Sequence, residues 1–130
     1  MGRVLIKSRN RAETTASEVI ASYHPEQDGL TYYYWDDWAL SGLLRPGGRT
    51  LTLGLAGGAG PRRLATADSG HRQTGVDLDL RSFAGRVAGL RAVQDDAFRY
   101  LAQTRETFDT IWVDLYGPDG LLPGVLSADL

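Results

Sequence analysis

The chain has 130 residues, of which 42% are hydrophobic and 23% are charged, and its formal net charge is −2. This length fits one domain of roughly 50–200 residues, and the mild acidity argues against a duplex-wide nucleic-acid surface. No apolar run approaches the roughly 18 residues of a membrane-spanning helix, and no signal-peptide pattern opens the chain. We therefore expect a cytoplasmic protein that binds neither nucleic acid nor membrane.

Metal chemistry is not favoured by the composition. The chain has no cysteine, which excludes disulfides and thiolate metal sites. Its two histidines, His24 and His71, are far apart in the sequence, and each flanks turn-like residues. We therefore predict no metal site and no Ser–His–Asp triad.

The first thirty residues lack a single clear pattern. Residues 2–8 have the β-branched apolar centre of a strand, and residues 17–23 fit either a second strand or the end of a helix. Residues 24–29 form a turn cluster. We interpret residues 1–30 as a small hairpin-like N-terminal β segment that precedes a domain over residues 31–130.

Residues 31–44 are the most aromatic part of the chain. Their apolar residues recur near the helical period, which predicts a helix packed on a sheet by its aromatic face. Residues 45–48, which include Pro46 and two glycines, end it. Tyr34 and Asp36 on this segment remain available for a functional role.

Residues 51–60 run from a short apolar strand directly into a glycine-rich turn. Pro61 follows, and proline suits the first position of a helix because its missing N–H has no partner there. Glycine allows positive φ and a close approach of the backbone to a ligand, and the helix start presents free N–H groups. This pattern favours a ligand-cradling turn over a merely flexible loop.

The remaining residues alternate between strand and helix patterns with short loops. This alternation predicts a Rossmann-like, doubly wound parallel sheet with right-handed crossovers. The predicted strands are residues 50–54, 74–78, 91–94 and 108–115, and the predicted helices are residues 61–67, 79–90 and 97–104.

Three aspartates lie at or just beyond the ends of predicted strands, at the edge where open α/β sheets bind ligands. Asp77 comes about 20 positions after the glycine turn, where a carboxylate commonly accepts from ribose hydroxyls. Asp96 can accept from an adenine amino group, although an N-cap role alone would explain an aspartate there. Asp114 ends the fourth strand beside the same crevice.

The glycine spacing does not match the common nucleotide motifs. Gly54, Gly57, Gly58 and Gly60 do not form G-x-G-x-x-G, and no Gly-Lys-Ser/Thr follows. Arg62 and Arg63 lie at the helix start, so the sequence does not exclude a phosphate-containing ligand.

Four segments resemble, in order and spacing, the spermidine synthase-like branch of the S-adenosylmethionine-dependent methyltransferase fold. The resemblance covers roughly residues 31–125. The segments are residues 53–58 (LGLAGG), 75–79 (GVDLD), 95–101 (DDAFRYL) and 108–120 (FDTIWVDLYGPDG).

The resemblance implies S-adenosylmethionine or decarboxylated S-adenosylmethionine as cofactor and a small-molecule acceptor. It implies that the glycine turn wraps the methionine part, that Asp77 holds the ribose, that Asp96 reads the adenine and that Asp114 deprotonates the attacking amine. The implied cofactor-binding residues are Gly54, Leu55, Ala56, Gly57, Gly58, Asp77, Leu78, Asp95, Asp96, Ala97 and Asp114, and the implied substrate-binding residues are Tyr34, Asp36 and Tyr116.

The chain departs from the family pattern at positions that carry amine-binding groups. Gly57 and Gly117 stand where the family has aspartates, and Trp35 replaces a glutamine. A diamine needs several carboxylates, so the residues support cofactor binding better than polyamine synthesis.

The chain is also shorter than the family pattern, because it ends at residue 130, where a helix would be starting after residue 127. We therefore expect a C-terminally shortened sheet without the strand that normally follows the fourth. Ile111, Trp112 and Val113 would then lie on an open apolar edge. We expect a homo-oligomer or a partner chain to cover this edge.

Three functions follow from these observations. The first is a transferase that moves a methyl or aminopropyl group from the sulfonium cofactor. The second is a non-catalytic or truncated module that binds a nucleoside or a partner chain. The third is a nicotinamide or flavin binder, against which the broken glycine pattern weighs.

Overall fold

The structure is a computed structural model that describes residues 30, 34–83, 87–117, 120–121 and 125. Apart from residue 30, the predicted N-terminal β segment (residues 1–30) lies outside the described residues. The helix expected after residue 127 lies outside them as well.

Four parallel strands form the central sheet, in the order β3-β2-β1-β4. Strand β1 lies between β2 and β4, and its last four residues are buried, as expected for a strand covered on both faces. The chain winds from β1 to β2 and β3 in one direction and then returns to β4 on the other side of β1. The strands are β1 (Arg49–Leu53), β2 (Arg72–Asp77), β3 (Leu90–Gln94) and β4 (Thr110–Val113).

The helical elements are short, and a second, two-stranded sheet follows β4. Helix α2 connects β1 to β2, and α3 connects β3 to β4. The elements are a 3-10 helix (Tyr34–Trp38), α1 (Ala39–Leu44), α2 (Ala59–Ala67), a second 3-10 helix (Leu80–Ser82), α3 (Ala97–Gln103), and the antiparallel strands β5 (Tyr116–Gly117) and β6 (Gly120–Leu121).

Two tryptophans attach the first 3-10 helix and α1 to one face of the sheet. The rings of Trp38 and Trp112 stack with centroids 4.5 Å apart. The Trp38 indole N–H donates to the Thr52 hydroxyl at 3.1 Å, and the Trp112 indole N–H donates to the Ser41 hydroxyl at 2.8 Å. Buried indole N–H groups need such acceptors, which explains the polar residues on this buried face.

The opposite face carries the main hydrophobic core. Side chains alternate along a strand, so Leu51 and Leu53 of β1 and Val76 of β2 point to this face, where Ala97 of α3 packs against them. Helices α2 and α3 therefore cover opposite faces of the sheet. The partly buried hydrophobic residues around this core are Val93, Phe98, Tyr100, Leu101, Phe108 and Val125.

A buried Asp–His–Thr arrangement holds the amino ends of β1 and β2 together. His71 Nε2 lies 2.7 Å from the Thr50 hydroxyl, and His71 Nδ1 lies 3.1 Å from an Asp68 carboxylate oxygen. The Gly47 amide and then His71 lower the pKa of Asp68. Thr50 and His71 are almost completely buried, so this arrangement gives a substrate no access to the hydroxyl and is structural.

The structure confirms the four predicted strands and the helices over residues 61–67 and 97–104, with small changes at their ends. The predicted aromatic helix divides into a 3-10 turn and α1. The predicted helix over residues 79–90 is wrong: only Leu80–Ser82 is helical among its described residues, and Leu90 already belongs to β3.

Local contacts explain the missing helix. Gly89 has φ +72°, and its carbonyl accepts from the Gln73 amide at 2.8 Å, so the chain enters β3 through an extended turn. A Cβ at Gly89 would lie 2.5 Å from the His71 carbonyl oxygen, which leaves no room for another residue type.

Within the described part of the chain, every helix is too short or too polar to cross a bilayer.

Candidate functional site

The carboxyl ends of the four strands form the candidate site. Open α/β sheets bind ligands where the winding direction reverses, and here the reversal falls between β1 and β4. Gly54 follows β1 and Asp114 follows β4, and the Asp114 amide donates to the Leu53 carbonyl at 2.8 Å. The glycine turn therefore begins at the position that this fold uses for binding.

Close backbone approach explains two glycines of the turn. Gly54 has φ +87°, and a Cβ there would lie 2.1 Å from the Asp114 carbonyl oxygen. Gly58 has φ +81° and is the N-cap of α2, where a Cβ would lie 2.7 Å from the Phe83 ring. Other residue types would force the turn away from β4 or from Phe83.

The Asp77 carboxylate holds the glycine turn against the end of β2. One oxygen accepts from the amides of Leu55 at 2.8 Å and Ala56 at 2.9 Å. The other accepts from the amide of Asp79 at 3.0 Å. These bonds stabilise the left-handed conformation of Ala56, which has φ +45°. The structure therefore gives a structural role to Asp77, which the sequence predicted as a ligand residue.

Asp95 and Asp96 follow β3 and have different partners. The Asp95 amide donates to the Asp77 carbonyl at 3.0 Å, and the Asp95 carboxylate forms an ion pair with Arg99. Asp96 caps α3 by accepting from the Arg99 amide at 2.9 Å. Asp95 thus mainly orders the loop, whereas Asp96 has a second carboxylate oxygen with no hydrogen bond among the described residues.

Asp114 and Tyr34 form a pair across the crevice. The Tyr34 hydroxyl donates to the two Asp114 carboxylate oxygens at 3.1 and 3.2 Å, although 80 residues separate them. Burial raises the pKa of Asp114, and the hydrogen bonds from Tyr34, together with the neighbouring Trp35 side chain, partly oppose that shift. Burial and the Asp114 charge raise the pKa of Tyr34. The site therefore combines a partly desolvated carboxylate with a neutral phenol.

Aromatic side chains surround this pair. The rings of Tyr34 and Trp35 have centroids 4.8 Å apart, and Tyr116 is close enough to raise the pKa of Tyr34 slightly. Tyr34 is 43% exposed and Tyr116 is 49% exposed. Asp36 is partly exposed on the same 3-10 helix as Tyr34.

Three of the predicted apolar ligand residues have different exposures. Leu78, directly after Asp77, is 62% exposed at the carboxyl edge, whereas Leu55 and Ala97 are buried. Leu55 packs over Gly75, where a Cβ would lie 2.5 Å from its Cδ1 atom. Leu55 and Ala97 therefore contribute packing, and Leu78 presents an apolar side chain at the site.

Sequence reasoning missed three residues that shape this region. Trp35 lies beside the Asp114 carboxylate and lowers its pKa, Phe83 packs against Gly58, and Gly75 makes room for Leu55. Of these, only Trp35 carried a signal, since it belongs to an aromatic run on a predicted helix. Phe83 and Gly75 become recognisable only once the turn is folded.

Within the described ranges, no cluster of three or more histidine, aspartate or glutamate side chains is arranged to hold a metal ion.

Comparison with known proteins does not identify the chain: no family model matches it, and no curated protein is significantly similar in sequence.

Replacing Asp77 by alanine will destabilise the fold, because it leaves the Leu55 and Ala56 amides without their acceptor. A lost acceptor for a partly buried donor costs about 1–3 kcal/mol. Urea unfolding of Asp77→Ala and of the control Asp37→Ala, which removes an exposed carboxylate, tests this. Equal stabilities of the two variants would contradict the anchoring role.

Asp114 gives the stability a distinct pH dependence. Its pKa is raised in the folded state, so the folded chain binds more protons than the unfolded chain between the usual value of 3.8 and the raised value. The free energy of unfolding contributed by Asp114 therefore falls as pH rises through this window. Asp114→Asn will remove this decrease in urea titrations at a series of pH values.

Tyr34→Phe provides the matched test of the pair. It removes a hydrogen bond that favours the ionised carboxylate, so the pKa of Asp114 will rise further. An NMR titration of the Asp114 carboxyl carbon in both proteins measures this change, and a pKa that falls or stays constant would contradict the assigned contact.

Proposed function

We propose that the chain binds an adenosyl sulfonium cofactor, S-adenosylmethionine or its decarboxylated form, at the carboxyl edge of its sheet. In this proposal the sheet is of the methyltransferase type and the chain resembles the spermidine synthase-like branch. Its reaction is transfer of a methyl or aminopropyl group to a small acceptor molecule.

One observation carries the proposal: the glycine turn lies between two strand-end carboxylates at the point where the winding reverses. Asp77 accepts from the turn amides on one side, and Gly54 touches the Asp114 backbone on the other. In open α/β sheets this position binds nucleotide-like ligands. A flexible loop would not require a left-handed Gly54 at a backbone contact.

The hydrogen-bonding capacity of Asp77 fits a ribose contact. A carboxylate offers about four acceptor positions, and amides of the described residues occupy three of them. The remaining position on Oδ1 can accept from one ribose hydroxyl. The same three bonds orient the carboxylate before the ligand arrives, which reduces the entropic cost of binding.

The region beyond β2 and β3 fits an adenine ring. Leu78 presents an exposed apolar side chain directly after Asp77. Asp96 caps α3 through one oxygen, and its other oxygen can accept from an exocyclic amino group. An apolar surface with one correctly placed acceptor is the usual composition of such a pocket.

The Asp114–Tyr34 pair fits group transfer to an acceptor that carries a removable proton. An adenosyl sulfonium supplies an electrophilic carbon and leaves as a neutral thioether, so no general acid is needed. Asp114 accepts the acceptor's proton at its carboxylate, and its raised pKa strengthens it as a base. Tyr34, kept neutral, orients that carboxylate through its hydroxyl. Most of the rate enhancement would come from alignment of the two reactants.

In this proposal the acceptor molecule carries at most one positive charge. Gly57 and Gly117 supply no carboxylate where the family carries aspartates, and Trp35 adds an aromatic ring beside Asp114. A site with one partly buried carboxylate and several aromatic rings fits a monoamine or a neutral acceptor better than a diamine.

A non-catalytic partner-binding module is the second candidate, and the exposure of β4 favours it. Among the described residues β4 pairs only with β1, and Ile111 and Val113 are 49% and 42% exposed. Exposed apolar side chains on an edge strand invite pairing with another strand. A second copy of the chain or a partner chain would cover them. Trp112, which the sequence also placed on this open edge, is instead half-buried and stacks on Trp38.

Calorimetric titration of the chain will test the cofactor proposal. We expect saturable binding of S-adenosylmethionine, its decarboxylated form and methylthioadenosine, and no binding of NAD. Asp96→Ser will weaken adenosyl-ligand binding roughly tenfold, as loss of a hydrogen bond with a charged partner does. Stability will hardly change, since serine retains the N-cap function.

Asp37→Ala is the matched control, because it removes a carboxylate at an exposed position. Tighter binding of the decarboxylated cofactor would indicate aminopropyl transfer, and tighter binding of S-adenosylmethionine would indicate methyl transfer. A folded sample that binds none of these ligands would contradict the proposal and favour the partner-binding module.

A further inference from the structure

Three arginines meet at the amino edge of the sheet, opposite the candidate cofactor site. Arg49 begins β1, Arg72 begins β2, and Arg91 is the second residue of β3. Arg49 pairs in register with Arg72, and Arg91 pairs with Thr74, two residues after Arg72. Since side chains alternate along strands, all three arginines lie on the face that α3 covers.

These arginines surround a cavity of about 330 Å³, a volume within the range of small-molecule sites. It lies at the strand starts and so shares no residue with the candidate cofactor site. Its lining includes Arg49, Arg72, Thr74, Arg91, Glu106 and Phe108.

The charge of the cavity is positive although the whole chain is acidic. Glu106 accepts from Arg49 at 2.9 Å and from Arg91 at 2.5 Å, which orients both guanidinium groups. Arg72 is exposed and forms no ion pair within the described part of the chain. Three guanidinium groups against one carboxylate leave two positive charges, while the chain as a whole carries −2.

Thr74 provides an independent polar group in the same cavity. It is only 6% exposed, it lies on the arginine face of β2, and its hydroxyl forms no hydrogen bond within the described ranges. Thr74 lines the cavity, so its hydroxyl can donate to a ligand oxygen. Phe108, with the Arg49 guanidinium 5.5 Å from its ring centroid, forms an aromatic wall.

We propose that this cavity binds a small ligand through a phosphate group that carries two negative charges. Guanidinium groups match phosphate oxygens in a planar, bidentate geometry. Arg72 contributes its exposed guanidinium, Thr74 donates its hydroxyl, and Arg49 and Arg91 supply the remaining charge. The organic part of the ligand packs against Phe108.

Phosphate fits the cavity better than a carboxylate ligand does. Glu106 already occupies the carboxylate-binding positions of Arg49 and Arg91. A tetrahedral dianion can contact Arg72 and Thr74 together while it balances the two excess charges. The site is independent of the proposed cofactor site, so saturating methylthioadenosine should leave phosphate binding unchanged.

Calorimetric titration with pyrophosphate at low ionic strength is the direct test. We expect saturable binding of one pyrophosphate per chain, weaker binding of inorganic phosphate, and loss of affinity with added salt. Arg72→Ala will weaken binding roughly tenfold, and Thr74→Val, which keeps the side-chain shape, will weaken it about two- to tenfold. Arg72→Lys will bind at an intermediate level, because it keeps the charge but loses the planar fork.

Arg81→Ala is the matched control, because it removes one exposed arginine near the opposite edge of the sheet. Circular dichroism of each variant will establish that it is folded. Absence of saturable binding, or equal weakening by Arg72→Ala and Arg81→Ala, would overturn the site. Citrate binding as tight as pyrophosphate binding would overturn the assignment to phosphate. Tighter binding of a single-stranded oligonucleotide at the same residues would overturn the assignment to a small ligand.

Discussion

The hydrogen bonds from the Leu55 and Ala56 amides to the Asp77 carboxylate determine the shape of the carboxyl edge. A turn with a left-handed Ala56 is unfavourable for the backbone alone, and the carboxylate supplies the compensating acceptors. The same residue accepts the Asp95 amide at its carbonyl, so it also connects β2 to the loop after β3. One residue thus connects the glycine turn with the ends of two strands, through its side chain on one side and its backbone carbonyl on the other. A ligand at this edge would meet a surface that is ordered before binding.

The other side of the crevice depends on contacts between distant parts of the sequence. Gly54 lies against the Asp114 backbone, and Tyr34 reaches the Asp114 carboxylate from the first 3-10 helix. The stacked tryptophans at positions 38 and 112 hold that helix on the sheet. The aromatic segment, which looks like ordinary packing in the sequence, therefore does two things: it stabilises one face of the sheet and it desolvates Asp114. The Asp114 carboxylate is therefore partly shielded from water, and its charge still receives a hydrogen bond from Tyr34.

The strands and the position of the glycine turn could be predicted from the sequence, because apolar runs and glycines are local signals. The shortening of the helix before β3 to Leu80–Ser82 could not be predicted. The pattern of residues 79–90 fits a helix, but Gly89 must be left-handed beside the carbonyl of His71, which lies just before β2 in another part of the sequence. Asp77 and Asp114 could be identified from their positions at strand ends. Their partners, the turn amides and the Tyr34 hydroxyl, became visible only in the folded chain, since they are 21 to 80 residues away. The arginine cavity could not be predicted from the sequence either, because its arginines are spread over three strands.

In the proposed function, the turn held by Asp77 forms the wall of an adenosyl site. The most direct test is the amide NMR spectrum of the isotope-labelled chain during titration with methylthioadenosine. We expect the largest shift changes at Leu55, Ala56 and Asp79, whose amides contact Asp77, together with changes near Asp96. Unchanged positions for these amides, or changes confined to Arg49 and Arg72 at the opposite edge, would contradict it.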